Sequence, residues 1–342
     1  MPLAEAGHAF PSVPEREVSD AAALDEALRE ARTPFVIRGL VADWPLVEAG
    51  RQSGKAARDY LLSHHRNRPF IVSTAPAEAK GRIFYDDDMR VNFTTAQVAL
   101  GEAFAQIADE EGADDAPTRY FGSIDIHDYF DEALHEANHV DLGGRDSLDS
   151  IWMGTATRIA PHSDFTDNLA CCAVGPRTFT LFPPDQFANL YFGPLDNTPA
   201  GPPISMVDVN DPDFEAFPRA RDAFAAAQVA ELQPGDALFV PSMWIHHVEA
   251  FAPFNVLVNY WWSETPSWYG KPRDAMIHAI MAIRELPPEQ RDLWRQMFDH
   301  YVFSGGEDAA AHLPDHARGI LAPHDKTSVQ RMRAYLMRAL TQ

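Results

Sequence analysis

Residues 151–182 have the sequence IWMGTATRIAPHSDFTDNLACCAVGPRTFTLF, in which short apolar runs alternate with Pro, Asp and Gly. The pattern continues in AQVAEL, ALFVP and FNVLVNYWW, which ends at Trp262. Several short strands separated by turn residues are typical of a β-barrel or jelly roll. We therefore predict a mainly β protein whose core, residues 121–270, is a double-stranded β-helix of the jelly-roll type.

Segments of mixed character flank this core. Residues 1–120 contain the helix-like runs DAAALDEALREA, KAARDYLLSHH and TTAQVALGEAFAQIADEE and the strand-like runs PFVIRGL, PFIVST and RYFGSI. We predict an N-terminal α/β flank there and a helical extension over residues 271–342, which contain AMIHAIMAIREL, EQRDLWRQMFDHYVF and SVQRMRAYLMRAL. Residues 125–150 are predicted to form a long loop with one short helix, and residues 189–221 a surface excursion.

The composition excludes several classes of protein. The chain has 342 residues, 28 Lys and Arg against 50 Asp and Glu, a net charge of −22 and 46% hydrophobic residues. The apolar fraction can fill a core, so disorder is excluded as the main state. Such an acidic surface repels phosphates, so we expect neither nucleic acid nor a membrane as partner. Because the first residues lack the features of a secretory signal, we predict a cytoplasmic protein.

The two cysteines, Cys171 and Cys172, are adjacent in a strand-like run. Neighbours in a strand point to opposite faces, so these two residues cannot form a disulfide framework. This agrees with a reducing compartment. We interpret both as small strand residues, because thiolate ligands would favour softer metals.

An H-x-D tripeptide occurs twice, as His139-Val140-Asp141 and as His162-Ser163-Asp164. The first lies in the polar stretch HEANHVDLGGRD, which is typical of a solvated loop. The second ends a strand-like run and precedes a hairpin signal, in which NLACCAV and RTFTLF flank Gly175-Pro176. A spacing of two places both side chains of the second motif on one face of an extended strand. We therefore select the second motif as a candidate pair of metal ligands.

A third ligand is expected from the stretch QPGDALFVPSMWIHHVE, residues 233–249. It contains a turn, an apolar strand and then His246-His247 at the start of another strand. Strand alternation allows only one of these two histidines to point into the barrel. Two histidines and one carboxylate on adjacent strands suit iron(II), since three positions remain open for substrate and dioxygen.

The block from Ile151 to Trp262 resembles the JmjC/cupin-like iron(II)- and 2-oxoglutarate-dependent oxygenases, among them the asparaginyl hydroxylases of the hypoxia-inducible factor. The resemblance rests on HSD, GPRTFTLFPPDQF, NDPDFEAFP, PGDALFVPSMWIHHVE and VNYWW. Residues 1–120 are similar, more loosely, to bacterial cupin-like proteins. The family pattern P-x-x-W-x-H-x-V implies that His246 is the third ligand, with His247 as its neighbour. The metal set implied is His162, Asp164 and His246.

The resemblance also implies a pocket for 2-oxoglutarate. Its far carboxylate requires a cation, and the family places a basic residue, commonly Lys, where this chain has Arg177. Arg is well shaped for a bidentate bond to a carboxylate. Asn168 and Asn259 match pocket asparagines of the related hydroxylase, although a buried amide that pairs within the core is an equal alternative. Thr157 is a weaker candidate for a hydroxyl contact.

Other residues near the motifs have a structural interpretation. Trp152, Trp244, Trp261 and Trp262 are expected in the core, with Trp261 in the barrel wall. The run from Phe84 to Asp88 is interpreted as an exposed acidic turn, in which only Tyr85 is a candidate for the mouth of the site.

The resulting hypothesis is a dioxygenase that uses iron(II), 2-oxoglutarate and O2, releases succinate and hydroxylates a protein side chain or a small molecule. One alternative is a cupin-fold protein that binds metal or ligand without turnover. Another is a cupin metalloenzyme that does not use 2-oxoglutarate, which would gain support if Arg177 pointed away from the metal. The C-terminal helices are similar to the dimer-forming helices of the related hydroxylase and predict a homodimer. A mass near 38.1 kDa in light scattering would reject the dimer.

Overall fold

The computed structural model describes residues 10–199, 201–304 and 307–341. Its contacts divide the chain into two compact units, residues 1–263 and 264–342. The predicted boundary after residue 120 stays a prediction.

Strands dominate the first unit. Those in its described residues are β1 (Phe35–Ile37), β2 (Phe70–Ala75), β3 (Arg82–Ile83), β4 (Thr94–Val98), β5 (Thr118–Asp125), β6 (Leu148–Gly154), β7 (Thr157–Ser163), β8 (Asp167–Val174), β9 (Arg177–Phe182), β10 (Gln228–Leu232), β11 (Ala237–Val240), β12 (Ile245–Ala250) and β13 (Asn255–Trp262). Its described α-helices are α1 (Ala21–Glu30), α2 (Pro45–Gln52), α3 (Gly54–His64), α4 (Leu100–Glu110), α5 (Ile126–Tyr129), α6 (Glu132–Ala137) and α7 (Ala220–Ala225).

The strands form two sheets. One sheet has the order β1-β11-β8-β13-β6-β5-β2-β4, and the other has the order β10-β9-β12-β7-β3. All pairings between neighbouring strands are antiparallel except that of β3 with β7. Consecutive strands that alternate between two antiparallel sheets make a jelly roll, so the predicted fold class is confirmed.

Three apolar layers hold this sandwich together. Helices α1 to α4 pack on the outer face of the larger sheet, where Leu46, Leu61 and Phe104 meet strand residues such as Val258. A second layer lies between the sheets and contains Cys172, Phe179 and Leu257. Cys171 belongs to the first layer and Cys172 to the second, so the two cysteines occupy opposite faces of β8, as predicted. Both thiols are free.

Two predictions about the core strands are wrong. The strand-like run that leads to His162, SIWMGTATRI, is predicted as one strand but forms two, because the chain turns at residues 155–156 between β6 and β7. The segments around Gly175-Pro176 are not a hairpin either, because β8 lies in the larger sheet and β9 in the smaller one. Gly175 has a φ of +73°, which a glycine adopts without strain, and the turn there carries the chain from one sheet to the other.

Three predictions about the flanks also need correction. Residues 94–98 form a strand instead of the start of a helix, because the β-branched Thr94 and Thr95 pair with β2 and α4 begins only at Leu100. Residues 125–150 contain two short helices, α5 and α6. Residues 189–221 are more than a surface excursion, since they supply Leu190, Val207 and Val209 to a third apolar layer outside the smaller sheet.

The second unit is helical, as the sequence predicts. Its described α-helices are α8 (Pro272–Ile283), α9 (Pro288–Phe298), α10 (Glu307–Ala310) and α11 (Lys326–Leu340). Many of its large apolar side chains are exposed, among them Met281, Phe303 and Met337. The predicted homodimer stays a prediction. Among the described residues, no helix combines the length and apolarity needed to cross a bilayer.

The glycine at the end of β6 is expected to be essential for the close approach of β5. Gly154 has a φ of +149°, and a Cβ atom there would overlap the carbonyl oxygen of Arg119. We expect Gly154→Ala to lower the free energy of unfolding by about 1–3 kcal/mol. In α4, Gly101 has only Leu62 nearby, at 3.8 Å from its would-be Cβ, so Gly101→Ala should raise the stability by about 0.5 kcal/mol. Urea titration of both variants measures the contrast, and equal stabilities would contradict it.

Candidate metal centre

Two neighbouring strands of the smaller sheet carry the selected histidines. His162 is the penultimate residue of β7, and His246 is the second residue of β12. The two residues face each other directly in the antiparallel register. Asp164 follows the end of β7, and its carbonyl oxygen accepts a hydrogen bond from the Met243 amide at 2.7 Å. That bond connects the loop after β7 to the loop before β12, so the three side chains meet at one end of the sandwich.

Both imidazoles are held in the same way. His162 Nδ1 lies 2.9 Å from the carbonyl oxygen of Ala160, and His246 Nδ1 lies 3.0 Å from that of Trp244. A carbonyl only accepts, so Nδ1 carries the proton and Nε2 keeps its lone pair for a metal. Burial, and next the neighbouring His162, lower the pKa of His246 to about 4. The imidazole of His246 is therefore neutral near pH 7.

The ligand atoms of His162, Asp164 and His246 lie within 4.8 Å of one another. His246 Nε2 is 3.8 Å from a carboxylate oxygen of Asp164. Two imidazole nitrogens and one carboxylate are the donor set of non-haem iron(II) sites. His247, by contrast, lies on the other face of β12, where its Nε2 is 3.7 Å from Glu249. Of the two neighbouring histidines, His247 is therefore the one that points away from the ligand atoms of His162 and Asp164.

The cation predicted for the co-substrate lies inside the sandwich. Arg177 pairs with Leu232 and Ala250 and shares the inward face of β9 with Phe179 and Leu181. Leu181 pairs with His246, and Arg177 lies four residues before Leu181 on β9. At about 3.3 Å per residue, Arg177 is therefore roughly 13 Å along the strand from the level of His246. The residue is only 6% exposed, and no described residue forms a hydrogen bond with its Nε. Burial lowers the pKa of Arg177, although the guanidinium stays charged near neutral pH.

The two predicted asparagines are adjacent on the opposite sheet. Asn259 Nδ2 donates to Asn168 Oδ1 at 2.7 Å. Both side chains are buried, on the inward faces of β13 and β8. Asn259 Oδ1 has no hydrogen-bond partner. The pair therefore satisfies only part of its own hydrogen-bonding capacity and presents a free acceptor to the interior.

Three aromatic residues that the sequence does not single out for the pocket also line this space. Tyr120 on β5 contacts Trp152, with ring centroids 5.9 Å apart, and Trp152 contacts Trp261 at 5.7 Å. Burial raises the pKa of Tyr120, while the charge of Arg177 opposes this and that of Asp164 adds to it. The phenol thus lies within electrostatic range of both the metal candidates and the buried cation. Only the pairing of β5 with β6 brings Tyr120 here, so periodicity could not find it.

Several buried polar atoms between the sheets have no hydrogen-bond partner in the part of the chain that the structure describes. They are Arg177 Nε, Asn259 Oδ1, Trp152 Nε1 and Trp261 Nε1. An unsatisfied buried polar group costs about 1–3 kcal/mol. Three donors, one of them charged, match an anionic ligand that carries carboxylate acceptors. The residues present therefore fit a small dicarboxylate such as 2-oxoglutarate.

The remaining candidates lie farther from the ligands. Thr157 pairs with Ala250, the residue that also pairs with Arg177, so it belongs to the Arg177 end of the sandwich. It lines a cavity of about 1160 Å³ there. Tyr85 is buried and donates to the carbonyl oxygen of Asn197 at 2.5 Å, which gives its hydroxyl a structural role. The aspartates after it form the exposed turn that was predicted.

The end of the sandwich that holds the histidines has an apolar edge. Phe165 follows Asp164 directly and is 57% exposed, and Met243, three residues before His246, is 49% exposed. Met243 has a φ of +67°, an uncommon conformation for a non-glycine residue. Exposed apolar side chains beside buried polar ones are typical of a binding site.

Comparisons with known proteins agree with this architecture. The cupin-like domain family matches residues 21–267. Similar proteins include the lysine-specific demethylase JMJ31 of Arabidopsis thaliana, 34% identical over 119 residues, which are 34% of this chain and 21% of that protein. HSPB1-associated protein 1 of Bos taurus is 27% identical over 271 residues, 75% of this chain and 52% of that protein. The tRNA wybutosine-synthesizing protein 5 of Danio rerio is 29% identical over 150 residues, 39% and 42% of the two chains. The chain thus spans about half or less of the length of these relatives.

Proposed function

This chain belongs to the cupin-like domain family, and from that premise we propose that it is an iron(II)- and 2-oxoglutarate-dependent oxygenase. The observation that carries the proposal is that one sandwich contains both the His162–Asp164–His246 ligand set and a buried Arg177 whose Nε has no hydrogen-bond partner among the described residues. The first suits iron(II), and the second suits a dicarboxylate. The names of similar proteins, which include a demethylase, agree with an oxygenase.

Each residue has a distinct role in this proposal. His162, Asp164 and His246 hold the metal, and their backbone hydrogen bonds orient both imidazoles. Arg177 binds the far carboxylate of 2-oxoglutarate, with the indole N–H groups of Trp152 and Trp261 as further donors. Iron(II), when bound, supplies the oxidative chemistry that couples decarboxylation of 2-oxoglutarate to hydroxylation. The buried interior keeps water away from that chemistry.

The orientation of Arg177 supports this proposal over a cupin metalloenzyme that does not use 2-oxoglutarate. Its side chain lies on the inward face of β9, within electrostatic range of Tyr120. A buried cation without a counter-charge is costly unless a ligand supplies one. In a protein without an anionic co-substrate, the buried guanidinium of Arg177 would keep this cost with no ligand to offset it.

The proposal predicts turnover of 2-oxoglutarate. Purified protein supplied with iron(II) and ascorbate should convert 2-oxoglutarate to succinate, slowly without substrate and faster with a hydroxylatable one. Mass spectrometry of succinate measures the reaction, and calorimetry measures binding of 2-oxoglutarate to the protein loaded with manganese(II). A protein that binds metal but neither binds nor consumes 2-oxoglutarate would instead support the non-catalytic alternative.

The substrate is proposed only as a class. The acidic surface, with a net charge of −22, favours a basic peptide or protein over a polyanion. The apolar edge formed by Phe165 and Met243 would pack against its side chains. Proteins of the same fold act on different substrates, so the relatives do not identify the substrate of this chain. Because the acidic surface favours basic peptides, a peptide library is the appropriate screen.

A further inference from the structure

A second group of metal-ligating side chains lies on the outer side of the larger sheet. His127 is on α5, His135 is on α6, His139 follows that helix, and Asp149 is on β6. The ligand atoms of His135, His139 and Asp149 lie within 4.8 Å of one another. None of the residues of the first centre belongs to this group. His139 belongs to the first H-x-D tripeptide, which the sequence predicts to lie in a solvated loop.

The imidazoles converge on one carboxylate. His135 Nε2 is 2.9 Å from Asp149 Oδ2, and His127 Nε2 is 3.8 Å from the same oxygen. The rings of His127 and His135 are 4.3 Å apart, and those of His135 and His139 are 4.8 Å apart. In a tetrahedral zinc site with bonds of about 2.0–2.1 Å, neighbouring ligand atoms are about 3.3 Å apart. The distances from Asp149 Oδ2 to His135 Nε2, 2.9 Å, and to His127 Nε2, 3.8 Å, lie below and above that value.

Burial and charge also suit a cation. The Asp149 side chain is 5% exposed. His135 lies within hydrogen-bonding distance of its carboxylate, and the Ser147 hydroxyl donates to Asp149 Oδ1 with an Oγ–Oδ1 distance of 2.5 Å. No Lys or Arg of the described residues forms an ion pair with it. His139 and His127 are exposed, so their rings can adjust to a ligand without disturbing the core.

We propose that His127, His135, His139 and Asp149 form a second metal site, selective for a divalent ion of the zinc class. Three imidazoles and one carboxylate are zinc ligands, and this donor set differs from the two-histidine set proposed for iron(II). His127 and His135 also form an overlapping group with Glu132, whose ligand atoms lie within 4.8 Å of one another, and the Glu132 carboxylate is 3.9 Å from His135 Nδ1.

The site would connect separate parts of the chain. Asp149 pairs with Tyr260 of β13, and the Tyr260 ring contacts His139 with centroids 5.9 Å apart. The Tyr260 hydroxyl donates to the carbonyl oxygen of Asn138 at 3.2 Å. A bound ion would therefore fix α5, α6 and the loop after them to the sheet whose inward face carries Asn259. Its effect is stabilisation by binding to the folded state.

The test uses Asp164→Ala as background, because that change empties the first centre. Calorimetry with Zn²⁺ should then show one equivalent per chain. A further His139→Ala or Asp149→Asn change should weaken binding by at least about tenfold, since even an outer-shell partner is worth that much. Cobalt(II) should give the intense visible absorption of a four-coordinate site in the background protein and not in the double variants.

His64 supplies the control. It also contacts a carboxylate, Asp131, at 3.0 Å, but it belongs to none of the three candidate groups in the described residues. His64→Ala in the same background should leave zinc binding unchanged. Because His139 is exposed, His139→Ala should fold even if Asp149→Asn does not. The proposal is overturned if the background protein binds no zinc, or if its zinc binding survives His139→Ala.

Discussion

Replacing Asp164 with Ala should abolish succinate formation and weaken iron(II) binding by more than about 100-fold, which is the upper range for loss of an outer-shell partner alone. Asp164 is the one carboxylate in the group with His162 and His246. Without it, only the two imidazoles remain, and neither carries a negative charge that would offset the charge of the ion. Binding of manganese(II), followed by calorimetry, and succinate yield measure the two losses separately.

The other H-x-D motif provides a matched control for this change. Asp141 is exposed, and its carboxylate accepts a hydrogen bond from the Gly143 amide at 2.9 Å. Asp141→Ala should therefore leave both iron binding and turnover near the level of the unmodified protein. If Asp141→Ala were inactive and Asp164→Ala active, the choice between the two motifs would be wrong.

The second large effect is expected at Arg177. Arg177→Met should raise the KM for 2-oxoglutarate by about 10- to 100-fold, because a hydrogen bond to a charged group is worth about 1.5–3 kcal/mol. Without co-substrate, the same change should leave the free energy of unfolding unchanged or raise it. Within residues 10–199, 201–304 and 307–341 the Nε of Arg177 has no hydrogen-bond partner, and an unpaired buried cation is destabilising. Steady-state kinetics and urea titration give the two results.

Arg145 is the matched control for Arg177. It is also largely buried, but its Nη1 lies 2.6 Å from Asp25, and its guanidinium packs over Trp262. Arg145→Met should lower stability without a change in the KM for 2-oxoglutarate. Arg177→Lys should restore part of the affinity, since it keeps the charge but not the bidentate geometry. An unchanged KM in Arg177→Met would remove Arg177 from the proposed pocket.

The amino-acid sequence predicts some elements of this protein better than others, for physical reasons. Strand alternation predicts which neighbouring side chains lie on opposite faces of β8 and β12, because a strand exposes successive residues to opposite sides. The same rule separated Cys171 from Cys172 and required that His246 and His247 point in different directions. The helical pattern, by contrast, gave a wrong prediction for residues 94–98, where pairing with β2 outweighs it.

The turn at Gly175-Pro176 shows a second limit. Its residues predict a reversal of the chain, and the chain does reverse there. Whether the two flanking strands pair with each other depends on which other strands form hydrogen bonds with their edges. In this fold β8 pairs with β11 and β13, while β9 pairs with β10 and β12. Local composition does not encode that choice, because it is made by contacts between residues far apart in the chain.

What the sequence determined by itself is the jelly-roll class, the family, and the selection of His162, Asp164, His246 and Arg177 as candidates. The strand-like runs predict the class and the H-x-D spacing selects His162 and Asp164, while the resemblance to the family implies His246 and Arg177. None of these steps needs knowledge of distant contacts. Only the tertiary structure decided that Tyr120, Trp152 and Trp261 share the interior with Arg177, and that His139 lies beside His135 and Asp149. Both groupings join residues from separate strands, helices and loops. Their proximity arises from strand pairing and layer packing, in which side chains meet through space and not along the chain.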